Sequence, residues 1–101
     1  MEVTWSDLAL QQLDEVVDYV EDNFGIITAQ NTLDRILDGA DQLTKYADHG
    51  IYDAKFTSLV AKQKMVIRHL LIAPNRIYYL IDDNKVVIMV SIQPLFWRFE
   101  I

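Results

Sequence analysis

The hydrophobic period of this chain changes once, at Gly50. Before Gly50, apolar residues recur every three or four positions. After it they come in short β-branched and aromatic runs, broken by turn signals. Helical repeats followed by strands fit a layered α+β arrangement rather than alternating βαβ units. At 101 residues the chain has room for one core, so a single domain spanning 1–101 is expected.

Residues 2–5 are β-prone and predict a short edge strand. Ser6 offers an N-cap oxygen and Asp7 suits the first helical turn. Ala9, Leu13, Val16, Val17, Val20 and Phe24 then form one helical stripe, with Asp14, Glu15, Asp18, Glu21 and Asp22 off it. Gly25 is the natural stop. A second helix is predicted from a cap near Thr28, with Ala29, Leu33, Ile36, Leu37, Ala40 and Leu43 as its stripe. It ends before Asp48-His49-Gly50. A connection of about four residues predicts an antiparallel helical hairpin.

In the second half, Met65–Ile72, Arg76–Ile81 and the nearly continuous apolar run Val86–Ile92 predict strands. Residues 53–60 are ambiguous and read as a short strand around Ala54–Leu59. Gln93–Ile101 forms an aromatic tail behind a proline. The expected fold is a short N-terminal strand and a helical hairpin packed on one face of an antiparallel sheet of three to four strands. A two-residue turn at Asp83-Asn84 would pair Asp82 with Lys85 and Arg76 with Ser91. Ile77, Tyr79 and Ile81 would then face the helices, because burying Arg76 unpaired is costly. A three-residue turn, Ala73–Asn75, would place Arg68 on the Arg76 face, and a two-residue turn would place His69 there. The first is favoured, since the second would turn Arg68 into the core.

The formal charge of −6 argues against broad nucleic-acid or membrane-surface binding. It is unevenly spread: residues 1–50 hold eleven acids and two bases, whereas residues 51–101 hold four acids and seven bases. There is no cysteine, which removes disulfides, thiolate zinc sites and thiol nucleophiles. No leader-like N-terminus and no bilayer-length apolar run is visible, so a cytoplasmic protein without a membrane partner is expected.

Few residues form a chemical constellation. Asp14, Asp18 and Asp22 share a helix face without a histidine or pocket, the pattern of a solvated surface. His49 and His69 are isolated, and a metal site needs three or more ligands. Ser6, Ser58 and Ser91 lack a nucleophile-elbow context, and three glycines leave no phosphate-cradling loop. No metal and no cofactor is expected. Arg68 and Arg76 interrupt strands that otherwise have no need of a cation. Either they bind a partner or they pair with acids at the sheet edge. Of Tyr78 and Tyr79, alternation sends one to the core and one to the other face. Phe96, Trp97 and Phe99 either fold back over the sheet or bury in a partner.

Val3-Thr4-Trp5-Ser6-Asp7-Leu8-Ala9, the acidic and aliphatic segment Leu13–Phe24, and Arg76-Ile77-Tyr78-Tyr79-Leu80-Ile81-Asp82-Asp83-Asn84-Lys85-Val86-Val87-Ile88 together resemble the RelE/ParE superfamily of toxins from bacterial type II toxin–antitoxin modules. The resemblance covers about residues 3–92. It implies a growth-inhibiting toxin held inactive by a cognate antitoxin, as a homodimer or a toxin–antitoxin hetero-oligomer. ParE-like members act on DNA gyrase, and RelE-like members cleave mRNA on the ribosome. Arg76 matches the strand arginine of the nucleases, and Arg68 an arginine often found in the preceding strand. The nucleases' preceding-strand lysines fall near Ile67 and His69, and their next arginine falls in Leu95-Phe96-Trp97, with Arg98 only nearby. Their C-terminal tyrosine would lie beyond Ile101. These departures, the acidity and the long first two helices imply a ParE-like, non-enzymatic toxin acting on a protein such as gyrase. The implied partner-binding set is Arg68, Arg76, Tyr78, Phe96, Trp97, Arg98 and Phe99. The alternatives are an mRNA endonuclease using Arg76, Arg68 and His69, or a non-toxic, antitoxin-binding relative.

Overall fold

A computed structural model describes residues 2–59, 65–72, 75–82 and, as backbone, 86–94. The elements are β1 (Glu2–Trp5), α1 (Asp7–Phe24), α2 (Ile26–Gln42), β2 (Ile51–Tyr52), α3 (Ala54–Leu59), β3 (Met65–Ile72), β4 (Asn75–Asp82) and β5 (Val86–Pro94). They form one sheet in the order β1-β5-β4-β3-β2. β1 runs parallel to β5, and the other neighbours are antiparallel. The α+β layering is as expected, with two short edge strands bringing the sheet to five.

α1 begins where Ser6 Oγ accepts from the Ala9 amide at 3.0 Å. Its stripe buries Ala9, Leu13, Val16 and Val20, while α2 buries Ala29, Thr32, Ile36 and Ala40. α1 lies over β5 and α2 over β3, so these stripes meet Leu70, Ile77, Tyr79 and Ile81 in the core. The helices are joined by Gly25 alone, not by about four residues. Its φ of +91° is cheap only for glycine. Gly25 O accepts from the Ala29 amide, so α2 starts at Ile26 and Thr28 lies inside its first turn rather than capping it. Phe24 and Leu37 continue their stripes in sequence but are exposed.

Ala54–Leu59 is a helix, not the expected strand. Asp53 Oδ1 accepts from the Phe56 amide at 2.9 Å, which caps its first turn. The Thr57 hydroxyl donates to Ile67 O and accepts from Ile67 N, fastening α3 to the edge of β3.

Both hairpin registers differ from the expected ones. Ile72 pairs with Asn75, so His69 lies opposite Tyr78 and Arg68 opposite Tyr79. Arg68 is therefore on the helix-facing side, and it is His69 that shares the Arg76 face. At the other hairpin Asp82 pairs with Val86. An irregularity between Tyr78 and Tyr79 then brings Arg76 opposite Gln93 rather than Ser91. Gln93 and Pro94 belong to β5. Phe96, Trp97, Arg98 and Phe99 lie outside the described residues.

Tyr79 ties the two layers together. Its ring is fully buried, its hydroxyl donates to Ala47 O at 2.7 Å and it accepts from the Gly50 amide at 2.9 Å. Arg68 Nη1 donates to Gly50 O at 2.9 Å. A Cβ on Gly50 would lie 2.5 Å from the Tyr79 hydroxyl and 2.8 Å from His69 O, so only glycine lets the loop come this close. Burial raises the Tyr79 pKa above its ordinary 10.0, and the nearby Asp48 adds to this. The Gly50 amide and Arg68 oppose the shift without reversing it.

Tyr79→Phe leaves Ala47 O and Gly50 N–H buried without their partner and should cost about 2–4 kcal/mol in urea unfolding. Because the folded pKa lies above the unfolded one, Tyr79 contributes stability below pH 10.0 that is lost as pH rises toward the higher folded value. The wild type should lose stability over that window, and Tyr79→Phe should lose this component of the slope. Gly50→Ala should destabilise by about 1–3 kcal/mol through overpacking.

Candidate functional site

The sheet face opposite the hairpin carries the chemistry-bearing side chains. Alternation along β4 places Arg76, Tyr78, Leu80 and Asp82 there, and pairing adds His69 and Leu71 from β3. Tyr78 is only 6% exposed. Its cover comes from α3, whose Phe56 ring meets it edge-on with centroids 5.5 Å apart at 85°. This face is therefore closed around Tyr78.

His69 sits across from Tyr78, ring centroids 5.5 Å apart. Its Nδ1 is 4.0 Å from Asp53 Oδ2, too far for a hydrogen bond. Asp53 thus caps α3 with one oxygen and faces His69 with the other. Burial lowers the His69 pKa below its ordinary 6.5, and Arg76 lowers it further, while Asp53 pulls the other way. The imidazole is thus neutral at pH 7. Arg76 Nη1 makes a long bond, 3.4 Å, to the Tyr78 hydroxyl. Arg76 Nε and His69 Nδ1 are buried with no hydrogen-bond partner among the described residues.

Arg68 belongs to the other side. Besides holding Gly50 O, its guanidinium lies 5.9 Å from the Tyr52 ring centroid. The structure therefore brings together Arg76, His69 and Tyr78 and separates Arg68 from them. Asp53, Phe56 and Thr57 are the contributors that sequence reading missed. The available signal was Asp53 followed three residues later by Phe56, an N-cap spacing.

Chemically, among the described residues the face offers one arginine and a neutral histidine against two carboxylates, Asp53 and Asp82. Phosphoryl transfer on RNA needs several positive groups converging on the phosphate and open access for a nucleotide. Here Phe56 occupies the approach to Tyr78. Among the described residues no group of three or more histidines and acids could hold a metal ion. Asp14, Asp18 and Asp22 are exposed along α1. No helix among the described residues is long and apolar enough to cross a membrane.

Residues 3–94 match the family model described as the ParE toxin of the type II toxin–antitoxin system, parDE. The chain belongs to that family. A solved chain of the "Chromosomal ParDE TA system from P. aeruginosa" is similar in fold, with a TM-score of 0.72 at 21% identity. The alignment covers 93% of this chain and 95% of that one. No curated protein matches.

The lowered His69 pKa sets an acid limit. Its stabilising contribution is complete above pH 6.5 and is lost as pH falls through the lower folded value. Urea unfolding from about pH 7.5 down to about pH 5 should show that decline. His69→Gln should flatten it. An unchanged slope in the variant would assign the decline to other groups.

Proposed function

We propose that this ParE-family chain is a ParE-like growth inhibitor that acts on a protein target, DNA gyrase, in the bacterial cytoplasm and is neutralised by a cognate antitoxin. The observation that carries this reading is the separation of Arg68 from Arg76. Arg68 is spent on Gly50 O and the Tyr52 ring on the helix-facing side, leaving Arg76 beside a neutral His69 on a face where α3 covers Tyr78. That arrangement suits contacts with a protein better than phosphoryl transfer. The long, acidic helical hairpin supports the same choice, because an acidic surface is repelled by ribosomal RNA and nucleic-acid backbones.

In this reading Arg76, with Phe96, Trp97, Arg98 and Phe99 of the C-terminal segment, contributes to antitoxin binding in a toxin–antitoxin hetero-oligomer, and Tyr78, buried under Phe56, supports Arg76 through its hydroxyl. Arg68 acts indirectly by holding the Gly50 loop. The nuclease alternative rests on the proximity of His69, Tyr78 and Arg76, which is the one feature in its favour.

Induced expression in a bacterial host should arrest growth, and co-expression of the protein encoded beside it should restore growth. Primer extension on messages from arrested cells should show no new codon-dependent 5′ ends. Normal growth at verified soluble expression would refute the toxin assignment. New codon-dependent 5′ ends would transfer it to the endonuclease class.

A further inference from the structure

The far end of the helical hairpin has no role in the core. The α1 stripe Ala9-Leu13-Val16-Val20 is buried, and its next member, Phe24, is 65% exposed. Across the turn, Ile26 and Ile27 are 57% and 73% exposed, and burial resumes only at Ala29. A Cβ built on Gly25 meets nothing within 4 Å. The hairpin thus carries its apolar stripe about one turn past the cover it packs against. It ends in three large aliphatic or aromatic side chains in open space. Soluble domains rarely leave such a patch contiguous without a partner.

The charge around the tip narrows the partner. Residues 1–34 contain eight acids and no lysine or arginine, and Glu21 and Asp22 are exposed immediately before the tip. A second copy of the same tip would bring these acids against one another. A partner with lysines and arginines around an apolar socket is complementary in both respects. A surface that holds DNA phosphates presents such a basic rim.

We propose that the hairpin tip, Phe24, Ile26 and Ile27 flanked by Glu21 and Asp22, is the element that docks the toxin onto its target. It inserts into an apolar socket on the basic, DNA-holding surface of that protein. This deepens the gyrase reading and rests on it. The apolar side chains supply residence time and the acids supply the rate of encounter.

The test is binding of the full chain to immobilised DNA gyrase holoenzyme, followed at rising salt, with growth arrest measured in parallel. Phe24→Ala with Ile27→Ala should keep the wild-type circular dichroism and melting, since both residues are exposed and alanine favours helix. It should dissociate about tenfold faster and fail to arrest growth. Glu21→Gln with Asp22→Asn should associate several-fold more slowly and weaken less with salt. Wild-type chain that binds gyrase while both folded variants bind equally well would overturn the docking assignment alone. So would a Phe24→Ala, Ile27→Ala variant that changes only self-association. Wild-type chain that neither binds gyrase nor arrests growth would overturn the target reading and the docking assignment together.

Discussion

The Tyr79 hydroxyl is the interaction on which the rest of the structure depends. It bonds the sheet to the loop leaving the helical hairpin at two points, Ala47 O and the Gly50 amide. Arg68 reinforces the same loop from the next strand. Once Gly50 is pinned there, β2 at Ile51–Tyr52 is delivered to the edge of β3. Asp53 then follows within reach of the α3 cap and of His69. A single buried tyrosine on the core face thus determines what covers the opposite face.

That dependence explains why the two arginines have different fates. In sequence they look equivalent, each a lone cation in an apolar strand. The pairing of Ile72 with Asn75 turns Arg68 inward, where a loop carbonyl accepts its charge-assisted bond. It turns Arg76 outward, beside His69 and Tyr78. A half-buried cation on the helix side is tolerable because the Gly50 carbonyl accepts from it, in a loop that Tyr79 holds in place. The register and the latch are one solution, and it leaves Arg76 as the one arginine among the described residues of the covered face.

Much of the fold was readable from residue type and spacing. Met65–Ile72 is the strand its β-branched run predicts, and Ser6 caps α1 as its position suggests. Ile77, Tyr79 and Ile81 face the helices because a strand alternates and an unpaired Arg76 cannot go there. The failures are tertiary. α3 owes its existence to Asp53 and to the bond between Thr57 and Ile67, a strand residue ten positions away. The site register turns on whether Asn75 is the end of a turn or the start of β4, a one-residue choice that reverses both faces. Phe24 fits its helical stripe by period, and period alone does not say where the sheet stops beneath it.

We propose that this ParE-family chain acts through protein contacts, with its strand-borne arginines serving structure and binding rather than cleavage. The most direct measurement adds the purified chain to gyrase, ATP and relaxed plasmid and follows the appearance of supercoils on a gel. The account predicts that supercoiling is progressively lost as the chain is titrated in. Full supercoiling at saturating chain, with messenger RNA cut when the same preparation is added to translating ribosomes, would contradict it.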